Sequence, residues 1–223
     1  MDWKILAAAP LAAVLLVASA APLAPLNGWS SGSTGNTSAA YRMGIDTALQ
    51  FQGQRSVSVQ SQSGLVRPDS HGAVIQYGYG YAGKRVRFSG WLRSSDVAGW
   101  AGAFLRIEPD GAERFFGSRR PDLKEDDLPF GAGGASSLDR WTEVSIVADV
   151  PNTPTAMVAM GAMVVGEGKV WLSAMRFEEV GLDVPLTPAR VGMPLATPEQ
   201  RAAEAKRLAE KASRRIPPNL SLE

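Results

Sequence analysis

Two residue types that carry much of enzyme chemistry are nearly missing from this sequence. The 223 residues contain no Cys and a single His, His71. The chain therefore offers no disulfide, thiolate zinc site, iron–sulfur cluster or cysteine nucleophile, and no site of several histidines. A calcium site made of oxygen ligands alone stays open. His71 lies in a turn-like stretch, Pro68 to Gly72, where a lone imidazole is more often solvated than a general base.

Two short motifs match patterns known from catalytic or cofactor sites. Gly28-Trp29-Ser30-Ser31-Gly32 fits the G-x-S-x-G nucleophile elbow, which needs a strand before it and a helix after it. Gly78-Tyr79-Gly80-Tyr81-Ala82-Gly83 fits G-x-G-x-x-G, which holds a pyrophosphate only where it opens a helix. The first opens an irregular segment and the second precedes a strand, so we interpret both as chance matches. The consecutive acids Glu125 to Asp127 are interpreted as solvated charge rather than a hydrolytic carboxylate pair.

Aromatic side chains beside arginines give a stronger functional signal. Trp91 falls on the opposite face of its segment from a run of apolar residues, with Arg87 on its own side, and Phe104 and Arg106 take the equivalent places on the next segment. A flat ring covers the apolar face of a sugar, and forked donors reach its hydroxyls. The alternatives are that a loop buries Trp91 or that an arginine stacks on it. The candidate ligand-binding residues are therefore Trp91, Arg87, Phe104 and Arg106, with no catalytic residue, metal or cofactor predicted.

Short strands must position these side chains. From about residue 41 to 180, segments of alternating apolar and polar residues recur between Gly, Pro, Asn and Asp. They are residues 55–62, 84–93, 102–108, 141–150 and 169–180, together with 155–165, which is apolar on both faces. Many short strands without intervening helices predict an all-β sandwich or barrel. Residues 117–140 break this pattern and form either a functional loop or a disordered one.

Both ends of the chain differ from this middle. Residues 1–20 carry Lys4, an apolar run and Ala18-Ser19-Ala20, which is typical of a cleavable secretory signal peptide. The run is shorter than the roughly 20 residues of a spanning helix, so we expect membrane contact only if this segment stays uncleaved. Residues 182–197 predict a Pro-rich linker. Residues 198–215 predict a helix that Thr197 caps and that ends before Pro217.

A wider set of residues falls in a characteristic order: Trp29, Tyr41, Gly44-Ile45-Asp46, Gly83 to Arg87, Gly99 to Gly102, Trp141, Asp149 to Pro151 and Gly168 to Trp171. In this order the chain resembles the galactose-binding-like jelly-roll sandwiches, close to bacterial carbohydrate-binding modules, over about residues 27–181. The resemblance implies a non-catalytic module of a kind that is often linked to enzymes or regulators. Many such modules place an acid near a structural calcium in the last strand. Trp171 to Met175 contains no acid, so calcium is not expected here.

The C-terminus supplies a further hypothesis. Modules of this kind commonly open with a strand that reads Asn-Leu-Asp-Phe-Glu, and no such strand precedes Gly28-Trp29. The chain ends instead in Asn219-Leu220-Ser221-Leu222-Glu223, where two leucines alternate as in a half-buried strand. We therefore expect residues 216–223 to fold back as a strand that completes the sandwich. The alternative is donation of this strand to a neighbouring molecule.

The prediction is an all-β jelly-roll β-sandwich at residues 21–181 with a C-terminal helical extension, in a periplasmic or secreted protein. The predicted function is non-catalytic binding of carbohydrate or cell-envelope glycan. The alternative is a structural or interaction protein with an envelope protein as partner and no small-molecule ligand, and a hydrolase comes third. The net charge of +1 gives no reason to expect a nucleic-acid partner. Exposure of Trp91 in a groove would favour the binder, and its burial the scaffold.

Overall fold

A computed structural model gives the architecture. It describes residues 22–33, 38–67, 70–108, 112–119, 134–135, 138–188, 190–191 and 215–222. The expected signal segment and Glu125 to Asp127 lie outside these ranges, as do most of the loop 117–140 and all of the expected helix 198–215 except its last residue. Within the described ranges the chain forms twelve β-strands and one short 3-10 helix, Ser38–Ala40. No helix in the same ranges is long and apolar enough to cross a membrane.

The strands form two sheets. The large sheet has seven strands, which are β1 (Ser30–Ser33), β4 (His71–Tyr79), β10 (Met157–Val165), β6 (Trp100–Glu108), β7 (Ala112–Arg119) and β12 (Arg190–Val191) in spatial order, with β8 (Gly134–Ala135) beside β7. The small sheet has five strands, which are β2 (Tyr41–Phe51), β3 (Gln54–Ser61), β11 (Lys169–Val180), β5 (Arg85–Ser95) and β9 (Thr142–Asp149) in spatial order. Every neighbouring pair is antiparallel except β7 with β8.

The strand order is that of a jelly roll. Strands β3-β11-β5-β9 form one layer and β4-β10-β6-β7 face them. Successive strands cross from one sheet to the other at each step except at the hairpins β2–β3 and β6–β7 and between β7 and the short β8. Two interlocked Greek keys produce this order of eight strands. The predicted all-β jelly-roll sandwich is therefore confirmed.

Period-two alternation places the core between the sheets. Along β5, Val86, Phe88 and Leu92 are fully buried, while Arg87 and Trp91 on the other face are only half-buried. Successive side chains of a strand point to opposite faces, so the apolar set faces the large sheet and the polar set faces outward. All nine residues of β10 are buried, as expected for a central strand covered on both sides.

The segment after β11 closes one open side of the sandwich. The backbone N–H of Thr187 donates to the carbonyl of Val147 at 3.0 Å, and its Oγ1 accepts from the N–H of Val147 at 3.0 Å, both at the outer edge of β9. Arg114 of β7 donates through Nε to the carbonyl of Thr187 at 3.0 Å. Three residues further on, β12 pairs with β7. This part of the predicted linker therefore joins the edges of both sheets.

The C-terminal segment returns to the sandwich but forms almost no strand. Ile216 makes an isolated bridge with Tyr79 at the end of β4. Leu220 and Leu222 then pack against the main core, as their alternation suggested. The expected strand is wrong beyond that one bridge, because Pro217 and Pro218 follow directly and have no N–H to continue a ladder. The segment instead fills a gap beside Gly78, whose position lies next to Pro218.

Candidate functional site

The four predicted ligand-binding residues lie on opposite sides of the molecule. Trp91 and Arg87 point outward from the small sheet on β5, whereas Phe104 and Arg106 point outward from the large sheet on β6. Alternation assigned each residue to the correct face of its own strand. The chain crosses between the sheets from β5 to β6, so the two outer faces are back to back. The expectation that all four residues form one exposed binding face is therefore wrong.

The outer face of the large sheet does not present an open ring at Phe104. Phe104 is 7% exposed and belongs to an apolar cluster with Trp100, Met163 and Val165 on the same face. Arg106 forms an ion pair with Glu108 two residues further on. A sugar could not stack on a ring that is already covered. This pair is therefore set aside as a binding site.

The outer face of the small sheet carries an aromatic cluster made of Phe51, Trp91 and Trp141. The rings of Phe51 and Trp91 are stacked, with centroids 4.3 Å apart and planes at 16°. Trp141 meets Phe51 edge-on at 5.7 Å and 61°. All three side chains remain half-buried, so part of each ring system faces solvent. Sequence reasoning singled out Trp91 as a candidate ligand-binding residue but did not single out Trp141 or Phe51 as such.

A bulged hairpin brings Phe51 over the sheet. Between Asp46 and Phe51 the β2–β3 register shifts, because β2 has extra residues there. Asp46 fixes this bulge by accepting from the N–H groups of Ala48 at 2.9 Å and Leu49 at 3.0 Å. Since β3 and β11 lie between β2 and β5, the stacking of Phe51 on Trp91 requires the hairpin tip to lean across both strands.

Beneath the hairpin, the polar floor of this face is already hydrogen-bonded. Ser56 and Ser173 are fully buried and donate to backbone carbonyls of the β2–β3 hairpin, at 2.6 Å and 2.9 Å respectively. Trp171 donates from Nε1 to Oδ2 of Asp46 at 2.8 Å. These hydrogen bonds hold the hairpin on the sheet. Because they already use the polar groups of the floor, a ligand could form hydrogen bonds only with side chains at the rim of the site.

The exposure of Trp91 was expected to separate a ligand-binding protein, with the ring open in a groove, from a scaffold, with the ring buried. Trp91 is neither buried nor open in a groove: one ring face is covered by Phe51, and the side chain stays half-buried. Any ligand would therefore contact a composite surface of the cluster rather than Trp91 alone. Arg87, its predicted companion, is engaged in an ion pair with Glu178 at 2.9 Å.

The residues considered for hydrolysis do not come together. His71 begins β4 in the large sheet, on the side of the molecule away from the aromatic cluster, and burial lowers its pKa. Ser30 of the elbow-like motif begins strand β1, so no helix follows it. In the described ranges no group of three or more His, Asp or Glu side chains is arranged to hold a metal ion.

Part of the chain is similar in sequence to one curated protein. No protein-family model matches the chain. The uncharacterized HTH-type transcriptional regulator YbfP of Bacillus subtilis (strain 168) is 28% identical over 153 residues. The match spans 66% of this chain and 46% of the regulator, so the chain corresponds to less than half of the relative's length.

Several solved structures are similar in fold at low sequence identity. The CBM22-1 xylan-binding domain of Paenibacillus barcinonensis Xyn10C is 10% identical with a TM-score of 0.42, covering 70% of this chain and 88% of that one. The family 11 carbohydrate-binding module of Clostridium thermocellum Lic26A-Cel5E is 14% identical with a TM-score of 0.41, covering 70% and 89%. The active domain of bacteriophage CBA120 tailspike protein 4 has a TM-score of 0.44 at 11% identity, covering 69% of this chain and 20% of that one. Most such neighbours are carbohydrate-binding modules, and the likeness is one of fold.

Proposed function

We propose that this protein binds carbohydrate without catalysis, through the aromatic cluster on the outer face of the small sheet. The observation that carries the proposal is the stacking of Phe51 on Trp91 with Trp141 beside them, all three half-buried on one outer face. Stacked rings form a rigid apolar surface, and a pyranose ring presents a matching apolar face of C–H groups. Ordering two rings before binding lowers the entropy lost when the ligand docks.

Hydrogen-bonding groups at the rim, both donors and acceptors, support the same ligand class. Arg93 follows Trp91 by two residues on the same outer face, and Ser89 precedes it by two. Glu143 of β9 pairs with Trp91 in the ladder and is exposed. Guanidinium, hydroxyl and carboxylate groups around a flat apolar centre match the alternation of hydroxyls and C–H faces on a sugar. The proposed ligand is therefore a carbohydrate or a cell-envelope glycan.

The proposal places the protein in the periplasm or outside the cell. Its support is the sequence pattern of residues 1–20, a cationic start, an apolar run and Ala18-Ser19-Ala20. A chain without cysteine needs no disulfide to fold in an oxidising compartment. Fractionation of cells that express the chain, with mass measurement of its N-terminus, tests this part: an uncut N-terminus in the cytoplasmic fraction would contradict it.

A glycan-array screen of the purified chain, with Trp91→Ala and Phe51→Ala beside it, tests the binding. We expect both variants to lose at least tenfold in affinity, since each removes half of the stacked pair. Tyr77→Ala is the matched control, because Tyr77 is a half-buried aromatic on the outer face of the large sheet. Equal loss in all three variants, or binding unchanged in the two cluster variants, would place the site elsewhere.

A second candidate is a protein-interaction role without a small-molecule ligand. It is favoured by the cover that Phe51 places over one face of Trp91. The likeness to a part of a transcriptional regulator also allows a module that passes a signal to another protein. An array with no glycan bound, followed by recovery of a defined partner that Phe51→Ala no longer retains, would favour this candidate.

A further inference from the structure

Three arginines of β5 point outward from the small sheet, and two of them are already paired. Arg85 donates to both carboxylate oxygens of Asp149, at 2.7 Å and 3.0 Å. Arg87 donates to one oxygen of Glu178, at 2.9 Å and 3.1 Å. Arg93 makes no hydrogen bond or ion pair with any residue in the part of the chain that the structure describes. None of these residues therefore occupies its fork of donors.

Arg93 lies among the tryptophans of the candidate site. It pairs with Trp171 across the β5–β11 ladder and follows Trp91 on the same face. Trp141 directly precedes Thr142, which pairs with Leu92, so the backbone of Trp141 comes next to that of Arg93. Arg93 is half-buried. Because its side chain is half-buried, a charge-assisted hydrogen bond that Arg93 forms is screened less than one on an open surface.

The neighbouring strand offers a carboxylate that Arg93 does not use. Glu143 pairs with Trp91 in the β5–β9 ladder and is exposed, yet it forms no ion pair with Arg93. Arginine forks match carboxylates in a planar, two-point geometry. An unpaired fork at the edge of an aromatic surface thus combines the two contacts that an acidic sugar requires, one for its ring and one for its charge.

We propose that the site takes a saccharide that carries a carboxylate, such as a uronic acid, with its ring on the aromatic cluster and its carboxylate on Arg93. This inference rests on the proposed carbohydrate-binding function and names the ligand class. Trp91 and Arg93 are separated by two residues of extended chain, about 6.6 Å between Cα atoms. A single sugar unit can therefore contact a ring of the cluster and the guanidinium together.

Titration calorimetry of the purified chain tests this ligand class. The probes are oligosaccharides of galacturonic acid and of glucuronic acid, each beside the same oligosaccharide with its carboxyl groups reduced to alcohols. We expect the acidic form of at least one probe to bind about tenfold more tightly than its reduced form, as for one charge-assisted contact. This preference should shrink as salt is raised.

Variants separate Arg93 from the general charge of the face. Arg93→Gln should abolish the preference for the acidic form, with a larger loss of affinity for the acidic form than for the reduced form. Arg93→Lys should keep part of the preference for the acidic form, because the lysine ammonium keeps the positive charge but lacks the planar, two-point geometry of the guanidinium. Arg176→Gln is the matched control, since Arg176 is an exposed arginine at an outward position of β11, opposite Ser89. We expect this control to keep the preference.

The outcomes distinguish this inference from the function on which it rests. Equal affinity for acidic and reduced forms, binding of neutral glycans alone, or an acidic preference that survives in Arg93→Gln would each overturn the inference. The proposed carbohydrate binding would stand in all three cases. Binding of no glycan of either kind, on the array or by calorimetry, would overturn both.

Discussion

At the residue scale, Asp46 does most to position the candidate site. Its Oδ1 accepts from two backbone N–H groups of the β2 bulge, and its Oδ2 accepts from the indole of Trp171 at 2.8 Å. One carboxylate therefore ties the hairpin that carries Phe51 to strand β11. The local sequence does not show this role of Asp46, because the role depends on a tryptophan 125 residues away.

We expect Asp46→Ala to lower the free energy of unfolding by about 1–3 kcal/mol, because three donors lose their acceptor and the Trp171 indole is largely buried. Glycan binding should weaken as well, since Phe51 loses its support. Asp46→Asn keeps one acceptor oxygen and should be intermediate. Urea unfolding measures the change, with Asp139→Ala, an exposed acid, as control. If the urea unfolding midpoint of Asp46→Ala equals that of the wild type, other contacts hold the hairpin.

At the element scale, the C-terminal segment packs against the sandwich as irregular chain rather than as a strand. Gln76 of β4 donates from Nε2 to the carbonyls of Gly28 and Asn219, both at 2.9 Å, and so joins the two ends of the described chain. Leu220 and Leu222 add apolar contacts to the main core. Arg215 lies over the ring of Tyr81 at 4.8 Å and pairs with Glu179. A short segment without regular structure is therefore fixed at several points.

Deletion of residues 217–223 should destabilise the sandwich by about 2–4 kcal/mol. Two half-buried leucines leave the core, and the buried amide of Gln76 loses one of its acceptors. Thermal unfolding measures the effect. The double variant Leu220→Ala, Leu222→Ala keeps the backbone and should show the apolar part of the loss alone. A melting temperature unchanged by the deletion would mean that these contacts do not hold the segment in solution.

At the scale of the whole molecule, ion pairs between neighbouring strands couple stability to pH. Hydrogen bonds from Arg85 lower the pKa of Asp149, and a hydrogen bond from Lys169 lowers the pKa of Asp96. With folded pKa values below the ordinary value of 3.8, the unfolded chain binds more protons in acid. The stabilisation is therefore present above that value and is lost as pH falls through the folded pKa.

We expect the double variant Asp96→Asn, Asp149→Asn to melt about 1–3 °C below wild type near neutral pH, as for exposed pairs in a domain of this size. The difference should disappear in strong acid, where both carboxylates of wild type are protonated. Melting curves across the acid range check this. If the difference in melting temperature between variant and wild type is the same at every pH, the substitutions act through packing instead.

The class of fold could be predicted from sequence because the core of each strand is a local pattern. Val86, Phe88 and Leu92 face one way and Trp91 the other, and the structure agrees. The grouping of Trp91 with Phe104 failed because β5 and β6, although consecutive in the chain, belong to different sheets. Phe51 was missed because it reaches Trp91 only through a bulge and a lean of the hairpin, which have no short-range signature.

The sequence by itself determined the all-β class and the inward and outward faces of the strands, and it suggested, beside strand donation to a neighbour, the return of the C-terminal leucines to the core. Side-chain alternation and apolar content are properties of a few neighbouring residues, so they can be read in order along the chain. Tertiary structure alone decided which strands share a sheet, which rings stack, and that Arg85 and Arg87 have ion-pair partners among the described residues while Arg93 has none among them. These features depend on contacts between distant residues, whose pairing is fixed only when the two sheets close on a common core.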